Sequence, residues 1–354
     1  MFEPEKNENL NDLLGNNPEN QESSMQTPPI TPIVPDRSIR ALGDAVGFPL
    51  CMFFIINYVL QYVIVYAVLI FSAVFNNSAF ESFADPNVQY VLSGMISLVS
   101  LTVPYLYTLK ATKSTFSELI SVKRVASSKL IALVMLGFGA SALSNLASNI
   151  LESVVNSFFG IQFENPAPEY GSDAWSFILM LLCVGILPAL LEEFAIRGVV
   201  LGALRKKFSD TSAIVISSVL FGILHGNLQQ IPFATLLGLL LAYTTIYTGS
   251  LLPAIVIHAV NNTMSVILAF SSQNMSPMVS IMTSYIYFTV SLIIGICGFI
   301  MLIKSDDNAF KLSPEHAEET KPNLKKFLSS PWMIIFLVLC AIQVLLAQGV
   351  ITLG

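Results

Sequence analysis

The sequence predicts an all-α fold of the membrane-embedded kind: a polytopic bundle of about nine transmembrane helices, with its amino terminus in the cytoplasm. Three observations predict it. Hydrophobic residues make up 54% of the 354 and charged ones only 11%, where soluble domains carry about 25% charged residues, and the mean hydropathy is +0.70. The apolar residues are gathered in runs of roughly 20, the length that crosses a hydrocarbon core. Lysine and arginine fall in alternate loops, as the cytoplasmic excess of basic residues requires.

In order along the chain, residues 1–40 are rich in Asn, Glu, Pro and Ser, end in TPPITPIVPD, and hold little apolar surface to bury. They read as a disordered cytoplasmic segment. A secretory signal is not expected, because the first long apolar run starts near Pro49 and lacks a basic n-region and a cleavage site. Apolar segments follow near 48–75, 89–109, 130–158, 175–204, 212–228, 231–248, 251–271, 278–303 and 331–352, the fifth and sixth being short enough for one of them to be re-entrant or strongly tilted. The chain divides accordingly. Residues 41–129 hold two accessory helices and a basic loop, and 130–272 a membrane core. A further helix follows over 273–303, a polar cytoplasmic linker over 304–330 and a terminal helix over 331–354.

Charge placement tests this order independently. Lys6, Arg37 and Arg40 precede the first segment; Lys110, Lys113, Lys123, Arg124 and Lys129 lie between the second and third; Arg205, Lys206 and Lys207 follow the fourth; Lys304, Lys311, Lys321, Lys325 and Lys326 follow the eighth. All fall on one side of a nine-span topology. The opposite loops carry only acids, Glu81, Asp85, Glu164, Glu169 and Asp173. Other classes are excluded. Cys51, Cys183, Cys297 and Cys340 are scattered through apolar stretches with no CxxC pair, so no disulfide framework is expected. With 17 basic against 23 acidic residues and a net charge of −6, no patch follows a phosphate backbone, and no nucleic-acid partner is expected.

Arg197 is the one basic residue left inside a span. Such a charge costs at least ~2.5–3.5 kcal/mol on insertion scales and needs partners. Glu193 lies four residues earlier, on the same helix face and in the favourable order of acid before base. Glu192, about 100° around the helix, is then free to face something else. Pro188 removes a backbone donor one turn before, which predicts a kink or local opening. A structural Glu–Arg pair is the plain alternative, but it leaves the second acid unexplained.

Of the three histidines, His225 and His258 lie in membrane segments, within Phe221-x-x-x-His225 and His258-x-x-x-Asn262. Ionisable groups in the bilayer are functional by default. Glu192 and His225 both come about 20 Å from the basic face at 1.5 Å per residue, whereas His258, seven residues after Leu251, is expected shallower. His316 belongs to the polar linker and reads as solvated.

Glu192-Glu193-x-x-x-Arg197, Phe221-x-x-x-His225 and His258-x-x-x-Asn262, in this order on three membrane helices, resemble the CPBP (Abi) family of intramembrane proteases, which joins type II CAAX prenyl endopeptidases to bacterial bacteriocin-processing and immunity proteins. The resemblance covers about 130–272 and implies a catalytic core there. It implies that Glu192 and His225 activate a water, that His258 and Asn262 bind the oxyanion, and that Glu193 and Arg197 shape the site.

The residue types fit that chemistry without the family name, since water needs a base to take its proton and the tetrahedral oxyanion needs donors. The same atoms offer a second mechanism. Glu192, His225 and His258 form a His₂Glu set, which with one water is a catalytic zinc shell; no HExxH is present. The metal-free route is preferred, with Zn²⁺ as the other. The function expected is thus an endopeptidase in the cell membrane, of bacterial type, acting on membrane-associated peptides or proteins. A proton-coupled transporter would use Glu192 and His225 but gives no reason for His258-x-x-x-Asn262, and a non-catalytic immunity or scaffold protein would not need these charges.

The topology is tested by impermeant amine labelling. Lys206 and Lys321 should react from the cytoplasmic side only, and a reporter fused after Gly354 should be active outside; activity only in the cytoplasm would remove one span.

Overall fold

The computed structural model describes residues 36–75, 79–119, 121–161, 171–312 and 320–347, and these are helices joined by turns, without a strand. The segment 1–35, His316 and residues 348–354 lie outside the described residues. Ten main helices follow one another: α1 (Asp36–Phe75), α2 (Pro86–Ala111), α3 (Ser127–Phe159), α4 (Ala174–Leu204), α5 (Asp210–Leu224), α6 (Gln230–Thr248), α7 (Leu252–Ser272), α8 (Pro277–Ser305), α9 (Thr320–Leu328) and α10 (Pro331–Ala347). The first begins at Asp36, so residues 36–40, read as disordered, are helical.

Local chemistry sets several boundaries. Asp85 accepts from the Asn87 amide ahead of Pro86 and starts α2, Asp173 accepts from the Ser176 amide and starts α4, and Ser209 does the same for Ser212 at the start of α5. Gly249, at φ +61°, closes α6 in the left-handed conformation that a side chain would resist.

Seven of these helices are long and apolar enough to cross a membrane, or eight if α9 and α10, bent by 72°, form one span. The segment expected over 212–228 is α5, only 15 residues or about 22 Å long, because Gly226 and the turn after it end the helix. Large apolar side chains on α1 and α8, among them Val63, Ile70, Tyr285 and Ile296, point outward. In a lipid solvent that exposure costs nothing, and cohesion must come from close packing.

The packing is built around α3, which contacts α8, α6 and α7, while α4 runs between α7 and α2, and α1 gathers α2, α9 and α10. Helices α3 and α8 cross where Gly139 meets Gly295: a Cβ on Gly139 would stand 2.8 Å from the Gly295 Cα. On the other flank, Asp44 of α1 accepts from the Trp332 amide at 3.0 Å and so caps α10 from another helix, and Thr108 of α2 donates to the Ala45 carbonyl at 2.6 Å.

The basic loops meet at one end of the bundle. Lys206 donates to Ser114 at 2.7 Å, the Lys123 amide to Ser250 at 3.0 Å, and Lys129 to Asp306 at 2.8 Å. The Lys129 ammonium, with Tyr247, holds the Asp306 carboxyl well below the usual range. These contacts join the loops after α2, α4, α6 and α8, as the charge pattern predicts. Helices α5 and α6 therefore start and finish at that same end, forming a hairpin whose tip carries His225 inward.

Gly295→Val should push α3 and α8 apart and cost about 1–3 kcal/mol, the usual cost of overpacking, read as a lower thermal midpoint in detergent. An unchanged midpoint would show that these backbones do not touch.

Candidate active site

Helix α4 is not a uniform α-helix. It opens into π-turns over Leu181–Ile186, returns to α over Leu187–Glu192 with Pro188 in its first turn, and opens again over Glu193–Val200. The first opening is the relaxation that Pro188 demands. The second begins at Glu193, directly after Glu192, and runs through Arg197, which changes the directions in which successive side chains leave the helix.

Arg197 and Glu193 form the expected pair at 2.9 Å, with both side chains wholly buried. The guanidinium also donates to the Gly238 carbonyl at 3.4 Å and lies 4.1 Å above the Phe221 ring, a desolvated cation–π contact. Gly238 admits it, since a Cβ there would come within 3.1 Å of Arg197 Nη2.

Glu193 holds a second partner. His258 Nδ1 lies 2.8 Å from Glu193 Oε1, and its other nitrogen, Nε2, lies 3.7 Å from Glu192 Oε2. The latter is too long for a direct hydrogen bond, and Glu192 Oε2 is a buried oxygen without a hydrogen-bond partner among the described residues. His258 was expected shallower than Glu192. It reaches the acids because the turn before α7 is sunk below the surface: Ser250 and Leu251 are buried beneath the 121–123 segment, which bonds to both.

His225 is fixed differently. Its Nδ1 lies 2.8 Å from the Phe221 carbonyl oxygen; a carbonyl only accepts, so Nδ1 carries a proton. Phe221 packs edge-on against both imidazoles, 4.8 Å from His225 and 5.9 Å from His258. With Arg197 over its face, Phe221 packs against three site residues at once.

Glu192 and His225 share a cavity of about 310 Å³, closed on the other side by Phe53, Asn57 and Gln61 of α1, Leu101 of α2 and Gln343 of α10. Asn262 stands apart. It lies one turn beyond His258 and accepts through Oδ1 from Asn261 Nδ2 at 3.2 Å, while Ser141 of α3 donates to Asn261 at 2.7 Å. Ser141, Asn261 and the residues of α1 and α10 were not singled out from the sequence, although an Asn and a Gln four apart in an apolar helix were a readable signal. Tyr105 was missed as well; it is wholly buried, within electrostatic reach of Glu192, and its hydroxyl has no hydrogen-bond partner among the described residues.

Among the described residues no three His, Cys, Asp or Glu side chains are gathered as a metal site. Glu192, His225 and His258 are neighbours, and Glu193 on His258 Nδ1 leaves Nε2 turned toward Glu192.

Acids and imidazoles buried together beside a cavity within a polytopic helix bundle fit the class of intramembrane proteases. Residues 174–264, which contain every one of these acids and imidazoles with Arg197 and Asn262, match the family described as Type II CAAX prenyl endopeptidase Rce1-like. A Bacillus subtilis (strain 168) protein provisionally named membrane peptidase YdiL is 31% identical over 123 residues, 34% of this chain and 50% of that protein, so the match spans half of the relative's length. No solved structure matches significantly. The two matches bear out the CPBP resemblance carried by the three motifs.

Glu193→Gln and Arg197→Ala should each lower stability in detergent by ~3–5 kcal/mol, because each strands a partner charge in the interior. The double neutral variant should melt higher than either single one. Wild-type midpoints in both single variants would show that the pair does not hold the fold.

Proposed function

We propose that this chain is a multi-pass endopeptidase of the cell membrane that hydrolyses membrane-associated peptides or proteins with a water activated by Glu192. The observation that carries the reading is the meeting of Glu192 with the two imidazoles: its unpartnered Oε2 lies 3.7 Å from His258 Nε2, and Glu192 and His225 line one cavity.

The hydrogen bonds around the imidazoles suggest their roles. With its Nδ1 proton committed to a carbonyl, His225 presents a lone pair at Nε2 and accepts a hydrogen bond from the water. Glu192 removes the water's proton as oxygen attacks the carbonyl carbon. His258 gives Nδ1–H to the Glu193 carboxylate and turns Nε2 toward Glu192 and the reacting carbonyl. It then stabilises the oxyanion, joined by the Asn262 amide, whose Oδ1 is occupied by Asn261 so that its NH₂ is left to donate. Glu192 returns the proton to the departing amine. Glu192, His225 and His258 would be the residues to hold a zinc ion, which would supply Lewis-acid activation of the same water.

Purified protein in nanodiscs, assayed on membrane peptides recovered by comparing cells carrying wild type and Glu192→Gln, tests this reading. Glu192→Gln and His225→Ala should abolish cleavage with little change in thermal midpoint, and Asn262→Ala should lose about 10²–10³-fold, the scale of one oxyanion donor. Stoichiometric zinc that disappears in His225→Ala and His258→Ala, with chelator-sensitive cleavage, would replace the metal-free route. Full cleavage by Glu192→Gln would sink both and favour a proton-coupled transporter.

A further inference from the structure

The wall facing Glu192 and His225 across the 310 Å³ cavity comes from α1 and α10, helices outside the matched 174–264 segment. Three of its residues are primary amides: Asn57 and Gln61, four apart on one face of α1, and Gln343, which stands alone as an amide in the apolar run of α10. Gln61 is exposed and Asn57 and Gln343 are half-buried, and an amide that faces hydrocarbon without a full set of partners is costly, so three of them on one cavity call for a ligand or a partner.

Their bonding leaves capacity open. Asn57 Nδ2 donates to the Phe53 carbonyl within its own helix at 2.7 Å, which leaves Oδ1 to accept. Gln61 and Gln343 have no hydrogen-bond partner among the described residues. Gln343 is set close to the catalytic loop. Gly226, directly after His225, has φ +62°, and a Cβ there would overlap the Gln343 side chain. The loop thus packs its one bare backbone position against this glutamine.

The chemistry of the amides identifies what they would hold. A peptide drawn into the membrane brings N–H and C=O groups that hydrocarbon cannot satisfy. A primary amide offers two donors and an acceptor without a charge, and so can pair with both. We infer that Asn57, Gln61 and Gln343 form a clamp for the backbone of an extended substrate peptide, laying it against Glu192 and His225, and that the flanking helices α1 and α10 select the substrate. This rests on the peptidase reading for its substrate class; the amides act by positioning and not in the chemical step.

The probe is a dansyl-labelled, end-capped hexapeptide of Leu and Ala, with a second peptide N-methylated at its central amide. Both are titrated into full-length protein in nanodiscs carrying Glu192→Gln, so that binding is read without cleavage. Asn57→Leu, Gln61→Leu and Gln343→Leu should each weaken binding by about threefold to tenfold, the scale of one neutral hydrogen bond. With Glu192 intact they should raise KM while kcat changes little. N-methylation should weaken binding to otherwise unaltered protein and have a smaller effect on at least one Leu variant, a comparison that holds even if another variant folds poorly. Additive losses in all three variants, equal binding of both peptides, or no saturable binding by folded protein would overturn the clamp. Peptide that binds protein with Glu192 intact, with this coupling, but is never cut would sink the peptidase reading while leaving the clamp in place.

Discussion

The burial of one cation organises the site. Arg197 has no exposed side-chain surface, in a segment that must otherwise lie in hydrocarbon, and an unpaired charge there would unfold the bundle sooner than persist. Its neutralisation takes Glu193 from α4 itself, the Gly238 carbonyl from α6 and the face of Phe221 from α5. Three helices are thereby locked around one guanidinium. The same Glu193 oxygen also holds His258 of α7, which brings in a fourth. Glu192 is the acid left over, and it is left over on the cavity side.

From that lock follows the division of labour between two chemically identical rings. His225 gives Nδ1–H to a backbone carbonyl, while His258 turns Nδ1 to a carboxylate with another carboxylate beyond it. The first arrangement ties its ring to the backbone of α5; the second ties its ring to the acids of α4. Hydrogen bonds of the outer shell therefore do the assigning, as they do for imidazoles in metal sites. The π-turns of α4 serve the same end, because adjacent acids at Glu192 and Glu193 must leave the helix toward different partners.

The helical class, the basic loops and the Glu193–Arg197 pair were legible in the sequence because each follows from a local rule: apolar run length, loop charge, spacing of four. His258's depth was not, since counting residues from Leu251 assumed that this turn lies at the membrane surface, and its burial under the 121–123 segment is a tertiary fact. The helix over 212–228 ends early for a related reason. After Leu224 the chain turns through His225 and the left-handed Gly226, which brings His225 to the cavity. Asn57, Gln61 and Gln343 lie nearly three hundred residues apart at the extremes, and only the docking of α10 on α1 shows that they share a wall.

That docking is itself sequence-encoded at a distance. Asp44 caps α10, Cys51 donates to the Trp332 carbonyl, and Phe48 meets the Trp332 ring edge-on, so the start of α10 is fixed on α1 by groups that α10 cannot supply. The chemistry of the matched segment is complete in its acids, imidazoles and amide, yet its cavity is open without these two helices. A hydrolytic site in a bilayer needs both: polar groups to move protons, and walls that admit a peptide while keeping lipid from the carboxylate. On the proposed reading the two requirements fall on different parts of the chain, the acids and imidazoles within 174–264 and much of the facing wall on α1 and α10.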